Sequence, residues 1–223
     1  MADTDTEKIM HTDRANHITI DSPLLKSASP FFKEESRSFQ HATNNEYRLP
    51  LTSHAHDKAI WNVNMLKLRP AQPKDASLIT EYIRELAEFE QLADECHATP
   101  ELLRTWLFGE TPRAYCLLAE WKDEPAGFAL YFYNFSTFLT KPGIYIEDVF
   151  IRPNFRRNGI ARSIFQHLAQ KALDEGCGRL EWWVLNWNTD AITFYQSIGA
   201  IPMDEWTVQR VTGHALERLA AGK

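Results

Sequence analysis

A strand, a turn and a helix follow one another between Ile144 and Gly178, and no other stretch constrains the fold as strongly. The strand residues are apolar on both faces, which is typical of a central strand buried between two layers. Glu147 and Asp148 interrupt the middle of this strand. Because a buried carboxylate costs free energy unless it is paired or used, we expect the two acids to serve a site.

The turn after this strand combines arginines with small residues at the start of the helix. Arg156 and Arg157 precede Gly159, and Ala161 follows it. N–H groups at a helix N-terminus lack intrahelical partners and bind anions, and small residues let a phosphate approach the backbone. The pattern matches neither the P-loop nor the three-glycine dinucleotide motif. Together with the two acids of the preceding strand, it therefore predicts a phosphate-bearing cosubstrate bound next to a carboxylate that acts as a base.

The apolar pattern from residue 65 onward predicts one α/β domain. It reads as a strand, two helices, a hairpin, the central strand, a helix, a strand, a helix and a last strand, which favours a mixed sheet flanked by helices. The last two strands are expected over residues 179–187 and 206–211. Glu90 lies at the edge of the apolar stripe of the first helix, so we expect it to point at a neighbouring element or a cleft.

Arg156-x-x-Gly159-x-Ala161, directly after a strand with two acids, resembles the acetyl-coenzyme A (acetyl-CoA) motif of the GNAT N-acetyltransferases. The resemblance covers residues 66–220 and is closest to the branch that acetylates diamines, namely the spermidine/spermine and thialysine N-acetyltransferases. It implies the GNAT fold, with a mixed, mostly antiparallel central sheet flanked by helices. It also implies that the strand bearing Glu147 splays from the strand bearing Trp182 and admits pantetheine. Residues 85–90, 145–150 and 187–200 carry the likeness.

The same resemblance implies a role for each candidate site residue. Glu147 would bind the amine and help to deprotonate it through a water, and Tyr195 would donate a proton to the leaving coenzyme A thiolate. The residues that would bind acetyl-CoA are Val149, Phe150, Ile151, Arg156, Arg157, Asn158, Gly159, Ile160, Ala161, Arg162, Asn188, Thr189, Asp190 and Ala191. The residues that would face the amine are Phe89, Glu90, Glu147, Asp148, Glu181, Trp182, Trp183 and Asp204.

The substrate stays open at this point. The loop at residues 135–138 lacks an acid that the animal polyamine enzymes carry there, so a short diamine, thialysine or another lysine-like amine is as credible as spermidine. Two other classes are a GNAT enzyme that acts on a protein or peptide amine and a non-catalytic acyl-CoA sensor. The sensor would keep the coenzyme turn but would need neither Glu147 nor Tyr195.

Residues 1–64 read differently from the rest of the chain. They are polar and show no sustained period, which predicts a mostly disordered N-terminal extension. We hypothesise that the folded unit, residues 65–223, begins at Met65, which is also a candidate native start. His54 and His56 lack further ligands at a recognisable spacing, so no metal site is predicted.

Charge and hydropathy limit the partners. The formal net charge is −6, with no basic stripe for nucleic acid, and no run approaches the roughly 18 apolar residues of a membrane span. The three cysteines form no C-x-x-C pair, and the polar N-terminus resembles no targeting signal. We therefore expect a cytoplasmic protein without nucleic-acid or membrane partners, and the family resemblance implies a small amine substrate and a homodimer.

Overall fold

The computed structural model of the chain describes residues 65–223. The predictions made for residues 1–64, including the histidine pair, lie outside this part. Within it, none of the helices has both the length and the apolar character needed to cross a bilayer.

A five-stranded sheet forms the centre of the described domain, in the spatial order β1-β2-β3-β4-β5. The first three pairings are antiparallel, and only β4 and β5 run parallel. The predicted mixed, mostly antiparallel sheet is thereby confirmed. The strands are β1 (Leu66–Pro70), β2 (Tyr115–Trp121), β3 (Glu124–Ser136), β4 (Lys141–Ile151) and β5 (Leu180–Trp182).

Helices flank this sheet, and their ends follow local sequence signals. Thr99 caps α2 by accepting the Leu102 N–H at 3.3 Å, and Pro100 takes the first helical position, where no N–H is needed. The helices are α1 (Ala76–Phe89), α2 (Pro100–Phe108), α3 (Ile160–Asp174), α4 (Thr189–Ser197) and α5 (Gly213–Ala220). Short 3-10 turns occupy Pro73–Asp75, Ala93–Glu95 and Pro153–Phe155.

Side chains of β4 alternate between two buried clusters, as expected of a central strand. Phe150 packs with Ile79 of α1 on one face of the sheet. Ile144 and Ile146 pack with Leu168 of α3 on the other face. We call these the α1 face and the α3 face. Because both faces are covered, a polar side chain on β4 must find a partner or open onto a site.

A β-bulge interrupts the pairing of β4 with β3 at the acids. Ile146 lies opposite Tyr131 and Asp148 lies opposite Leu130, so Glu147 is an extra residue with no counterpart on β3. Such a residue bends its strand and redirects the neighbouring side chains. Glu147 is accordingly exposed, whereas Asp148 remains partly buried on the α1 face with Leu130.

The structure corrects the last two predicted strands. Pairing between β5 and β4 ends at Trp182, so the strand expected over residues 179–187 is confined to Leu180–Trp182. Residues 206–211, also predicted as a strand, form none, and the segment is exposed. A strand needs a ladder partner, and the short β5 offers too few free peptide groups for another one.

Candidate active site

The site lies where β4 and β5 separate. Their parallel pairing joins Ile144 to Leu180 and Ile146 to Trp182, and it stops there although β4 continues to Ile151. The pairing therefore ends where the resemblance implies that the two strands diverge. It leaves a gap beside residues 147–151, where no described strand pairs with the outer edge of β4.

Peptide groups of β4 line this gap. The Arg152 N–H donates to the Ala126 carbonyl at 2.9 Å, on the β3 side. Because peptide groups alternate in direction along an antiparallel ladder, those of Val149 and Ile151 point to the opposite edge, into the gap. The same alternation directs the peptide groups of Phe150 toward β3.

The start of α3 has the features of an anion site. Its N-cap, Gly159, has φ of 78°, and no side chain caps the helix. The first helical bond runs from the Ser163 N–H to the Gly159 carbonyl, which leaves the N–H groups of Ile160, Ala161 and Arg162 directed out of the helix end. A Cβ atom added to Gly159 would meet nothing within 4 Å. Free donors and open space fit the pyrophosphate of acetyl-CoA.

Side chains within the turn hold its shape. Arg157 has a positive φ of 63°, and Asn158 Nδ2 donates to the Phe155 carbonyl at 3.1 Å. This local bond supports the tight backbone path that leads into Gly159 and the helix. Asn158 thus stabilises the turn through its side chain.

Arg156 turns away from the helix start and toward the gap. Its Nε donates to the Ile151 carbonyl at 2.9 Å, and its guanidinium lies 5.0 Å from the ring centre of Phe89. Arg162 instead donates to Ser197 Oγ at 3.3 Å and links α3 to α4. Of these two side chains, Arg156 connects the coenzyme turn to the C-terminal end of α1.

Residues 188–191 form the beginning of α4, beside the coenzyme turn. Asn188 Oδ1 accepts the Ala191 N–H at 3.3 Å and so caps the helix. Asp190 pairs with Arg157 at 3.2 Å, and both side chains are more than four-fifths exposed, at 86% and 88%. The structure therefore brings the two predicted halves of the coenzyme site together, although the side chain of Asn188 is used within its own helix.

Three acids gather at the bulge. Burial first, and then the charges of Glu147 and Glu90, raise the pKa of Asp148 to about 7. Burial also raises the pKa of Glu90, which caps the C-terminus of α1. Within residues 65–223, none of the three forms an ion pair with a basic side chain. An unpaired, partly buried acidic group of this kind attracts a cation.

Tyr195 lies on α4 and faces the same region. Its ring contacts Trp182 at 5.1 Å and Phe165 at 5.5 Å between ring centres. Burial, and to a smaller extent the charge of Glu90, raises the pKa of the Tyr195 hydroxyl. The phenol therefore keeps its proton at neutral pH, as a proton donor must.

The predicted aromatic residues divide between the two faces of the sheet. Trp182 supports Tyr195 on the α3 face, whereas Trp183 contacts Tyr145 on the other face, with 5.7 Å between ring centres. Phe89 pairs with Trp187 at 5.7 Å, beside Arg156. Trp182 is thus a supporting residue for Tyr195.

Two predicted amine-facing acids behave differently from the cluster at the bulge. Glu181 accepts a hydrogen bond from Asn134 Nδ2 at 2.5 Å and pairs with Arg179 at 2.9 Å, so its charge is already compensated. Asp204 lies in an exposed turn and, within the described part of the chain, contacts none of the three acids. The structure does not bring Asp204 into the site.

Sequence reasoning missed two residues near the acids. Tyr145 lies on the α1 face two residues before Glu147, and the alternation of β4 was the signal that pointed to it. Arg210 lies 5.9 Å from the ring centre of Trp183. It comes from the exposed segment after α4, and no local pattern indicates where its side chain goes.

Known proteins are similar to this chain in sequence and in fold. The sequence profile of the acetyltransferase (GNAT) family matches residues 80–200. A thialysine N-ε-acetyltransferase of Bos taurus is 38% identical over 164 residues, which are 69% of this chain and 96% of that protein. The L-ornithine N5-acetyltransferase of Arabidopsis thaliana is 45% identical over 94 residues, 42% of this chain and 41% of that protein. The structure of an integron cassette protein of V. cholerae superposes with a TM-score of 0.60 at 26% identity, covering 70% and 98% of the two chains.

The fold and these relatives define an N-acetyltransferase, which confirms the predicted fold and enzyme class. The chain belongs to the GNAT family, whose members use acetyl-CoA, and its relatives support the diamine acetyltransferase branch.

Proposed function

We propose that this enzyme transfers the acetyl group of acetyl-CoA to a primary amine of a small cationic substrate such as a diamine, a polyamine or thialysine. The observation that carries the proposal is the cluster of three unpaired acids, Glu90, Glu147 and Asp148, whose members act electrostatically on one another and, through Glu90, on Tyr195. A protonated amine is the ligand that such a cluster attracts. The thialysine acetyltransferase similar to this chain acts on an amine of that kind.

The groups along the gap are suited to hold the cosubstrate. Acetyl-CoA supplies a thioester whose carbonyl carbon the amine attacks. The gap-facing peptide groups of Val149 and Ile151 would bind pantetheine, and the free N–H groups at the start of α3 would bind the pyrophosphate. Arg157 and Asp190 lie beside that helix start and would frame the remaining phosphates.

The acids would prepare the amine. A protonated amine has no lone pair, so it must lose a proton before it attacks. Glu147 is exposed at the bulge, where a water can relay the proton to it. Asp148, with a pKa raised to about 7, would ionise fully when the cation binds, because an adjacent positive charge favours the carboxylate.

Tyr195 would complete the transfer. The new C–N bond forms as the C–S bond breaks, and the thiolate that leaves takes a proton from the phenol. The raised pKa of Tyr195 keeps that proton in place until the thiolate, a stronger base than water, develops. A homodimer in the cytoplasm is part of the same proposal.

The test is acetyl transfer to a panel of amines: putrescine, spermidine, thialysine, lysine and a short peptide. We expect saturable turnover of a small amine, and Tyr195→Phe to lower kcat roughly a hundredfold or more. The matched control is Tyr115→Phe, because Tyr115 lies on the sheet away from the acids and should leave turnover unchanged.

Other results would favour the alternative functions. Acetylation of the peptide alone would indicate a protein or peptide amine as substrate. Binding of acetyl-CoA without acetylation of any amine would indicate an acyl-CoA sensor. Equal losses of kcat in Tyr195→Phe and Tyr115→Phe would rule out Tyr195 as the proton donor.

A further inference from the structure

The α1 face of the sheet continues from the acids to a second, aromatic region around Tyr145. The ring of Tyr145 contacts Phe132 at 4.9 Å and Trp183 at 5.7 Å between ring centres. The Arg210 guanidinium lies 5.9 Å from the ring centre of Trp183. A path of aromatic rings therefore leads from the strand that carries Glu147 to the guanidinium of Arg210.

Charges at both ends of this path act on the hydroxyl group of Tyr145. Burial, followed by the charges of Glu147 and Glu181, raises the pKa of Tyr145 to about 12, and the charge of Arg210 opposes that rise. Glu147 and Arg210 thus both act on Tyr145. A single small molecule lying along Tyr145 can meet an acid with one end and a cation with the other.

The two ends differ in net charge. At the bulge, the three acids have no basic partner among residues 65–223. At the other end, Arg179 and Asn134 already occupy Glu181. Arg210 forms no ion pair with a carboxylate in the described part of the chain. That end therefore carries an uncompensated positive charge.

We propose that Arg210 binds the carboxylate of the amine substrate, and that the preferred substrates are amino acids with a terminal primary amine, of the lysine type. This rests on the proposed function, because it assigns the far end of the same substrate. The planar guanidinium matches a carboxylate in shape and charge. The same cation repels the second ammonium group of a diamine or polyamine, so it selects against those compounds.

Four amines of equal chain length isolate the effect. Lysine carries a carboxylate and a second ammonium, ε-aminocaproate only the carboxylate, cadaverine only the second ammonium, and pentylamine neither. We expect kcat/KM to be about tenfold higher for ε-aminocaproate than for pentylamine, the usual size of one charged hydrogen bond. Cadaverine should be the poorest of the four, and the differences should lie mainly in KM.

Variants of Arg210 assign the effect to this residue. Arg210→Gln should remove the roughly tenfold advantage of ε-aminocaproate over pentylamine. Arg210→Glu should reverse the preference, so that cadaverine becomes better than ε-aminocaproate. Arg218→Gln is the matched control, because Arg218 is exposed on α5 outside the site.

The inference and the proposed function fail in different ways. Acetylation of cadaverine as readily as of lysine and ε-aminocaproate would overturn the role of Arg210 and leave the acetyltransferase assignment intact. A preference for carboxylates that survives both Arg210 substitutions would also overturn it. If none of the four amines were acetylated, the role of Arg210 would be overturned, and the proposed function would be refuted as well only if putrescine, spermidine and thialysine were also left unacetylated.

Discussion

The two halves of β4 are continuous in sequence but differ in which of their edges are paired with neighbouring strands. Residues 144–146 are paired on both edges, with β3 and with β5, and Ile144 and Ile146 are buried against α3. Residues 148–151 are paired only with β3, and their other edge faces the gap. The change occurs at the bulge formed by Glu147. One continuous strand therefore supplies stability with its first half and binding groups with its second half.

We call residues 144–146 the closed half of β4 and residues 147–151 the open half. The largest effect should come from Glu147, the first residue of the open half. Glu147→Gln removes the negative charge that we propose attracts and deprotonates the amine, so kcat/KM should fall by about a hundredfold to ten-thousandfold while the thermal midpoint hardly changes. Steady-state kinetics beside a melting curve check this. Glu88→Gln, on the exposed side of α1, is the control. Unaltered turnover in Glu147→Gln would transfer the base role to another group.

The closed half should respond in the opposite way. Ile146 is 1% exposed, so Ile146→Ala should lower the free energy of unfolding by about 2–5 kcal/mol through lost packing and the cavity left behind. Denaturant titration measures the loss, with the exposed Leu219→Ala as a nearly neutral control. If Ile146→Ala lowered kcat/KM of the folded protein but left the free energy of unfolding unchanged, the division between the two halves would be wrong.

Asp148 tests how the open half responds to pH. Its pKa is raised from 3.8 to about 7 in the folded protein, so the folded state holds a proton that the unfolded state has lost. Stability contributed by this group is therefore present at low pH and is lost as pH rises through about 7. Asp148→Asn removes that loss. Relative to wild type, the free energy of unfolding of Asp148→Asn should increase by on the order of 1 kcal/mol between acidic and mildly alkaline conditions. The effect is small because solvent screens a partly exposed group.

Thermal midpoints of wild type and Asp148→Asn across this pH range provide the measurement. Asp123→Asn, in the exposed β2–β3 turn, should show no such pH-dependent gain. Parallel curves for wild type and Asp148→Asn would mean that Asp148 ionises normally.

The smallest effect is expected for the ion pair between Arg157, which follows β4 in sequence, and Asp190. The exposed Arg157–Asp190 pair should add almost nothing to stability. If Arg157 also meets a phosphate, Arg157→Gln should raise KM for acetyl-CoA a few-fold, whereas Asp190→Asn, which breaks the same pair, should not. Equal changes in both variants would indicate that only their mutual contact matters.

Local signals made much of this arrangement predictable. Thr99 and Pro100 marked the start of α2, and the turn around Gly159 marked the candidate anion site, because each depends on a few neighbouring residues. The burial of Ile144 and Ile146 followed from their apolar run. In each case the determining interactions span only a few positions along the chain.

Features that depend on distant partners were not predictable. The bulge at Glu147 appears only when the register with β3 is known. Arg152 pairs with Glu81 and Glu85 of α1, which lie 71 and 67 positions earlier in the sequence. The apolar residues within 206–211 suggested a strand, but no described strand lies beside them to form a ladder. Arg210 reaches Trp183 for reasons that lie outside its own segment.

The bulge also makes the enzyme sensitive to the deletion of a single residue from β4. A substitution at Glu147 changes one side chain and leaves the extra residue in place. Loss of that single codon would set Ile146 and Asp148 in an uninterrupted ladder opposite Tyr131 and Leu130. The strand would then lose the cause of its bend, and pairing with β5 would be free to continue past Ile146. An in-frame deletion of one residue would thus remove a carboxylate and close the coenzyme gap at the same time.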